Sequence, residues 1–165
     1  MFSLALLASV AVKYWLASRQ MRAVDRHRDR VPAEFAGVIG LPAHQRAADY
    51  TVVKLRFGVL ELALASAVLL GWTLLGGLDG LNGVLMDAVG PRPLLQPLTL
   101  LVAFAVINAM IDLPFALYQT FVIEQRFGFN KMTFRLWLAD LLKSTLVGVV
   151  IGVPLAAGVL WLMQA

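Results

Sequence analysis

The sequence predicts an all-α fold: a multi-pass membrane helical bundle of four transmembrane helices with long cytoplasmic helical extensions. Three observations predict it. First, 60% of the 165 residues are hydrophobic and 15% are charged, against about a quarter charged in soluble domains; so little polar surface cannot cover a soluble globule of this size. Second, four apolar runs recur, at about residues 1–17, 57–75, 98–118 and 144–163, each near the length of a membrane-crossing helix. Third, the basic residues fall almost entirely in two of the three connectors, 18–56 and 119–143. The chain reads as one membrane domain over 1–165.

The first run carries Lys13 as its single interruption, read as snorkelling towards the interface. No basic residue precedes it, and the charged stretch beginning Ser18-Arg19 follows it, the reverse of a signal peptide. The run is slightly short, which allows a true start upstream. Arg19, Arg22, Arg26, Arg28 and Arg30, partly offset by Asp25 and Asp29, suit a solvated continuation of this helix to Val31-Pro32, where proline forces its predecessor out of the helical region. An irregular piece over 34–41 follows. From about Ala43 the chain is helical again, with Ala47, Tyr50 and Lys54 at helical spacing, and it runs into the second span without a break.

Glu61 lies one turn inside that span. It is either an interfacial carboxylate paired with Lys54, Arg56 or Lys13, or the lining of a wet cavity. Ala63, Ala65, Ser66 and Ala67 permit close helix contact. Residues 76–97, with many glycines and three prolines, read as turns, with a short interfacial helix over 84–89. The third span holds Asn108 and Asp112 one turn apart, followed by Pro114, which favours a kink. Asp112 is the most deeply placed carboxylate. It is expected either to bond Asn108 or a neighbouring helix, or to line a cavity or substrate path.

The stretch 113–143 turns the chain between spans three and four. Phe127-Gly128-Phe129-Asn130 breaks the helix, glycine supplying backbone freedom and asparagine tolerating a left-handed or capping position. Thr133 can cap the next helix, whose Phe134, Trp137, Leu138 and Leu141 form an apolar stripe, with Arg135, Asp140 and Lys143 elsewhere. In the fourth span Gly148, Gly152 and Gly158 are candidate close-packing points, and Pro154 favours a kink. Twelve Lys and Arg lie in the first and third connectors and one, Arg92, in the second. The positive-inside rule then puts connectors 18–56 and 119–143 in the cytoplasm and both termini outside.

No catalytic set is visible. The histidines, His27 and His44, share one connector and do not form His-Glu-x-x-His; with no cysteine, no three-ligand zinc site arises from spacing. No serine sits in a Gly-x-Ser-x-Gly turn. The glycines of 76–83 lack the Gly-Lys-Ser/Thr of a phosphate loop. The basic surplus in so apolar a chain points to anionic headgroups rather than nucleic acid. The candidate chamber-lining or structural residues are Glu61, Asn108, Asp112, Glu124, Arg126, Asn130, Thr133, Asp140 and Lys143; catalytic and metal residues are none.

The run Tyr118-Gln119-Thr120-Phe121-Val122-Ile123-Glu124-Gln125-Arg126-Phe127-Gly128-Phe129-Asn130-Lys131-Met132-Thr133, with Asp140-Leu141-Leu142-Lys143 after it, resembles the N-terminal membrane region of the type I CAAX prenyl proteases and their bacterial relatives. So do Arg19-Gln20, His27-Arg28, Val31-Pro32, the stretch from His44 to Thr51, and Lys54 with Arg56-Phe57-Gly58. The resemblance covers nearly the whole chain; its specific piece is Glu-x-Arg-Phe-Gly-Phe-Asn-Lys-x-Thr. It implies an integral-membrane zinc metallopeptidase whose zinc is held by a His-Glu-x-x-His helix and a later Glu in the half that follows. None of those positions is matched among the 165 residues, so no catalytic or metal residue carries over, and zinc is expected of the full-length family only. The implied role is a wall of an intramembrane proteolytic chamber, not catalytic alone, with 124–133 near its cytoplasmic end. The implied partners are the bilayer, a C-terminal peptidase half in the same or a separate chain, and a peptide or membrane-protein substrate. Composition favours a bacterial inner membrane. The alternative is a stand-alone membrane scaffold or interaction protein. A small transporter resting on Glu61 and Asp112 is disfavoured, since no inverted repeat or paired broken helices are visible.

Overall fold

The computed structural model describes residues 1–164, and the described residues are all helix, turn and loop. In chain order the helices are α1 (Phe2–Arg26), α2 (Leu41–Thr73), α3 (Gly77–Val89), α4 (Leu95–Tyr118), a π-helical segment (Gln119–Glu124), α5 (Gln125–Phe127) and α6 (Phe134–Gln164). The sequence-predicted all-helical class holds. By length and composition two helices suit a membrane crossing, Leu95–Phe127 and Phe134–Met163, or three if α2 and α3 are taken together as one span. α1 is not among them; its apolar run is broken by Lys13 and gives way to charge at Arg19.

The chain divides into two compact units, Met1–Gly71 with Leu117–Asn130, and Trp72–Ala116 with Lys131–Ala165. Burial is sparse and lies in the first unit: Ala48 at 8% exposure and Ile123 at 3%. Large apolar side chains elsewhere stand open, among them Leu146, Val150, Leu155 and Leu162 on α6. In water such a surface would be an aggregation hazard. In a bilayer it is the expected exterior, because lipid tails solvate it.

Three local structures depart from the sequence reading. α1 ends at Arg26 rather than at Val31-Pro32. His27 Nδ1–H donates to the Ala23 carbonyl over 2.7 Å, and the next residues turn to meet α2, so tertiary bonds replace the last predicted turns of helix. Second, the glycine-rich stretch after the second apolar run is a 13-residue helix, α3, and not turns with a short late helix. Interior Gly80 and Gly83 cost it about 1 kcal/mol each relative to alanine. Asp79 in its first turn complements the helix dipole, and the Asn82 side chain bonds that of Gln96. Left-handed glycines, Gly76 and Gly90, stand at its two ends with φ of 76° and 75°. Third, α4 runs on past Pro114 into the π-helical segment and ends only at Phe127.

Candidate functional site

The first unit builds one polar site around the turn that follows α1. Residues 27–30 are pinned to the first turns of α2 by three side-chain links. Arg28 grips Asp49 with two parallel bonds, Nε to Oδ1 at 2.7 Å and Nη2 to Oδ2 at 3.0 Å. His44 Nε2–H donates to the His27 carbonyl at 2.9 Å. Gln45 Nε2 donates to Asp29 Oδ1 at 2.7 Å, and Asp29 also pairs with Arg28 at 3.1 Å. The paired fork is the strong form of a carboxylate–guanidinium contact, because both bonds are charge-assisted and share one plane. Its electrostatics agree from both sides. The hydrogen bond from Arg28 holds the Asp49 carboxyl below its usual range, and the hydrogen bond to Asp49, with its charge, raises Arg28 above its ordinary value.

A second layer is aromatic. The Tyr50 ring meets Phe127 edge-on at 5.5 Å and Phe129 at 4.7 Å. One α-helical step on, Lys54 Nζ lies 5.6 Å above the Tyr50 ring, as the four-residue spacing of Tyr50 and Lys54 predicts. Phe57 stacks on Tyr118 at 5.3 Å. These contacts join α2 to the segment 118–129, whose backbone is shaped for them. The π-helical segment holds the buried Ile123; a π-bulge shifts the register of side chains relative to an uninterrupted helix.

The break after it is a Schellman closure. Gly128, at φ 77°, donates its N–H to the Gln125 carbonyl at 3.1 Å, and Phe129 donates to the Glu124 carbonyl at 2.9 Å. This pair of bonds satisfies the last carbonyls of the helix, and it needs a left-handed residue at its centre, which glycine supplies without a Cβ clash. Asn130 N–H adds a second bond to the Glu124 carbonyl at 3.2 Å.

A cleft of about 650 Å³ opens against these elements, lined by Asp25 in the last turn of α1, by Arg28 just after it, by Arg46, Asp49 and Arg56 on α2, and by Arg126 and Phe127 on α5, together with small apolar residues. The Arg126 guanidinium sits 5.9 Å over the Phe127 ring. A second groove of about 430 Å³ is walled by Lys13, Lys54, Glu61 and apolar residues of α1 and α2.

The predicted site residues distribute as follows. In the first unit Glu124, Arg126 and Asn130 share the helix break just described. Glu61 lines the second groove beside Lys13 and Lys54, but the expected ion pair does not form: the ion pairs among the described residues are those of Arg28. Arg56, one of its proposed partners, lines the first cleft instead.

In the second unit Asn108 accepts a bond from Trp72 Nε1 at 3.3 Å and donates to the Phe104 carbonyl at 2.7 Å. The expected bond from Asn108 to Asp112 is therefore absent. The amide finds a backbone acceptor one turn back, and Asp112 makes no hydrogen bond among the described residues. Thr133 caps α6 as predicted, its Oγ1 accepting from Leu136 N at 3.3 Å. Asp140 and Lys143 lie exposed along α6.

Sequence reasoning missed the Arg28–Asp49 fork and the rings around Tyr50. Its available signal was His44-Gln45 and Asp49-Tyr50, two polar pairs at helical spacing just before an apolar run. The residues do not fit a zinc ion. His27 and His44 each commit a ring nitrogen to a backbone carbonyl, and no three His, Asp or Glu side chains converge among the described residues.

Comparison with known proteins gives these features a setting. Residues 20–165 match the family described as CAAX prenyl protease N-terminal, five membrane helices. The CAAX prenyl protease 1 homolog of Caenorhabditis elegans is 30% identical over 165 residues, 99% of this chain and 36% of that protein. The homolog of Arabidopsis thaliana is 29% identical over 140 residues, 81% of this chain and 33% of that protein. The crystal structure of S. mikatae Ste24p superposes with a TM-score of 0.79 at 24% identity, covering 90% of this chain and 35% of the other, a likeness of fold. The chain thus spans about a third of the length of the curated relatives it matches. It belongs to the CAAX prenyl protease N-terminal family.

Proposed function

We propose that this chain is the N-terminal membrane-spanning part of a CAAX prenyl protease-like zinc metalloendopeptidase, forming walls of an intramembrane proteolytic chamber and inactive by itself. The observation that carries the reading is the family match over residues 20–165, joined to a fold likeness that covers 35% of a larger protein. The open apolar faces of α4 and α6 support it, since they suit lipid or a further set of helices. In this reading the chain forms one membrane domain with spans at about 1–17, 57–75, 98–118 and 144–163. Connectors 18–56 and 119–143 are cytoplasmic, on the twelve-to-one division of Lys and Arg. Composition supports a bacterial inner membrane, although the relatives named above are eukaryotic.

Within that reading the nine candidate residues take different parts. Glu124, Arg126, Asn130 and Thr133 shape the backbone at the cytoplasmic end of the chamber. Glu61, Asn108 and Asp112 line it or brace it from the spans. Asp140 and Lys143 dress the start of the last helix. Zinc chemistry belongs to the His-Glu-x-x-His half, which lies outside these residues, and a prenylated peptide or a membrane protein is the substrate class.

The test is reconstitution. The 165-residue chain is purified alone and together with a C-terminal half carrying His-Glu-x-x-His, and cleavage of a prenylated CAAX peptide is followed. The expected result is no cleavage and no stoichiometric zinc in the chain alone, and both in the assembly. Cleavage by the chain alone would overturn the reading. Failure of the two halves to associate would favour the stand-alone scaffold.

A further inference from the structure

The reading above uses Arg126 of the arginine cleft for backbone shape and leaves the charge of the cleft unexplained, and that charge is unbalanced. Four arginines and two aspartates line it. Asp49 cancels Arg28 through the two-bond fork. Asp25 offsets one of Arg46, Arg56 and Arg126, and none of these three forms an ion pair among the described residues. Two positive charges are left over in a concave space. Like charges gathered this way repel one another unless an anion joins them.

Two further observations say what kind of anion. Arg46, Asp49, Val53 and Arg56 recur at intervals of three, four and three residues on α2, so they share one face of that helix. Arg56 is the last residue before the apolar run that begins at Phe57, and Arg126 stands at the end of the apolar helix Leu95–Phe127. Both arginines therefore occupy the polar boundary of an apolar helix, the level at which lipid phosphates lie. The walls of the cleft also carry apolar groups, Val53 and Phe127 among them, which a free inorganic ion does not use and a glycerol backbone does. Arg126 is steadied by the ring beneath it, and a guanidinium offers a planar fork to phosphate oxygens.

We propose that this cleft binds the phosphate headgroup of an anionic phospholipid, with Arg46, Arg56 and Arg126 as its donors and the Arg28–Asp49 fork as its rigid wall. The proposal rests on the reading that the apolar helices cross a bilayer. It does not depend on which side faces the cytoplasm, nor on protease activity.

Binding is measured on the full chain in detergent by native mass spectrometry, with phosphatidylglycerol and phosphatidylcholine titrated in parallel. Phosphatidylglycerol is expected to be retained in preference, and each arginine replaced by glutamine should lower that preference roughly fivefold. The triple variant R46Q/R56Q/R126Q should abolish it. R22Q/R26Q/R30Q removes the same charge from side chains outside the cleft and should leave most of the preference. Single Arg126→Gln serves where the triple variant loses its helical circular dichroism.

Equal retention of both lipids by the wild-type chain overturns the proposal. So does an equal loss in the two triple variants, which would assign the effect to diffuse surface charge. Displacement of phosphatidylglycerol by an equal concentration of inorganic phosphate overturns the lipid source and leaves a soluble phosphate ligand. Because the chain has no cysteine, Ser18→Cys labelled by an impermeant maleimide reports the side of the first connector separately. A lipid preference with Ser18→Cys labelled on the outer side would keep the headgroup site and remove the cytoplasmic assignment.

Discussion

The polar end of the first unit and the helix α6 are held in opposite ways. Around Tyr50 and Ile123, side chains hold one another: a two-bond fork, three ring contacts and a capped helix end, with Ile123 buried to 3% exposure. Along α6, Leu146 is 64% exposed and Leu155 68%. The difference teaches that the first region carries its own internal specification, whereas α6 depends on what surrounds it. A buried side chain is felt by the fold wherever the chain is placed. An exposed apolar one is felt only when lipid or a partner covers it.

That contrast can be broken most forcefully at its two poles. Ile123→Ala deletes a buried branched side chain, and is expected to cost about 3 kcal/mol in denaturant unfolding from micelles. Leu146→Ala in the same micelles should stay within about 0.5 kcal/mol, as exposed positions do. If the two substitutions cost the same in micelles, the contrast is wrong. If Leu146→Ala becomes costly only once a C-terminal half is added, then α6 is the face that the partner covers.

Gly128 sharpens the comparison from the backbone side. Its φ of 77° is left-handed, and no neighbouring atom lies within 4 Å of an added Cβ. Gly128→Ala therefore tests backbone strain without a steric clash, and is expected to cost about 1–2 kcal/mol. Gly152→Ala, inside α6 and equally open, should go the other way and stabilise by up to about 1 kcal/mol through helix propensity. A destabilising Gly152→Ala would show that α6 packs closely there against something outside this chain.

Much of this was legible in the sequence, and the failures have a pattern. Helix class, the break at Gly128 and the Thr133 cap follow from local chemistry, so periodicity and capping residues report them. The length of α3 did not: three glycines in 13 residues read as turns, and only the spacing of Leu78, Leu81 and Leu85 argued otherwise. The π-helical segment left no mark, because Gln-Thr-Phe-Val-Ile-Glu has no residue that demands an extra backbone step. Long-range bonds were the least legible. Arg28 and Asp49 are 21 residues apart, and nothing in either neighbourhood distinguishes that arginine from the others around it. Glu61 was expected to pair with Lys54, Arg56 or Lys13, and Asp112 to bond Asn108 or a neighbouring helix; Asn108 instead satisfied its amide on a backbone carbonyl one turn back. The resemblance located the region that matters; the side-chain bonds inside it required coordinates.

The Arg28–Asp49 fork supplies the smallest effect and the one most sensitive to conditions. Both side chains keep a third or more of their surface in water, 36% for Arg28 and 45% for Asp49, so solvent screens the pair and its contribution is modest. Its pH dependence is nevertheless fixed in sign. Arg28 remains charged throughout, since its pKa moves upward. Asp49 moves downward because Arg28 hydrogen-bonds its charged form. A carboxyl depressed on folding contributes stability above its unfolded pKa, about 3.9 for aspartate, and that contribution is lost as pH falls through the folded value. Asp49→Asn should therefore lower the melting temperature at pH 7 and pH 5 by a similar small amount. The gap to wild type should narrow below about pH 4, where the unfolded carboxyl begins to protonate. High salt at pH 7 should narrow it as well, because the pair is open to counterions. A gap that stays constant down to pH 3 and in salt would mean that Asp49 acts through shape alone, and the first unit would then owe its order to its rings and its helix cap.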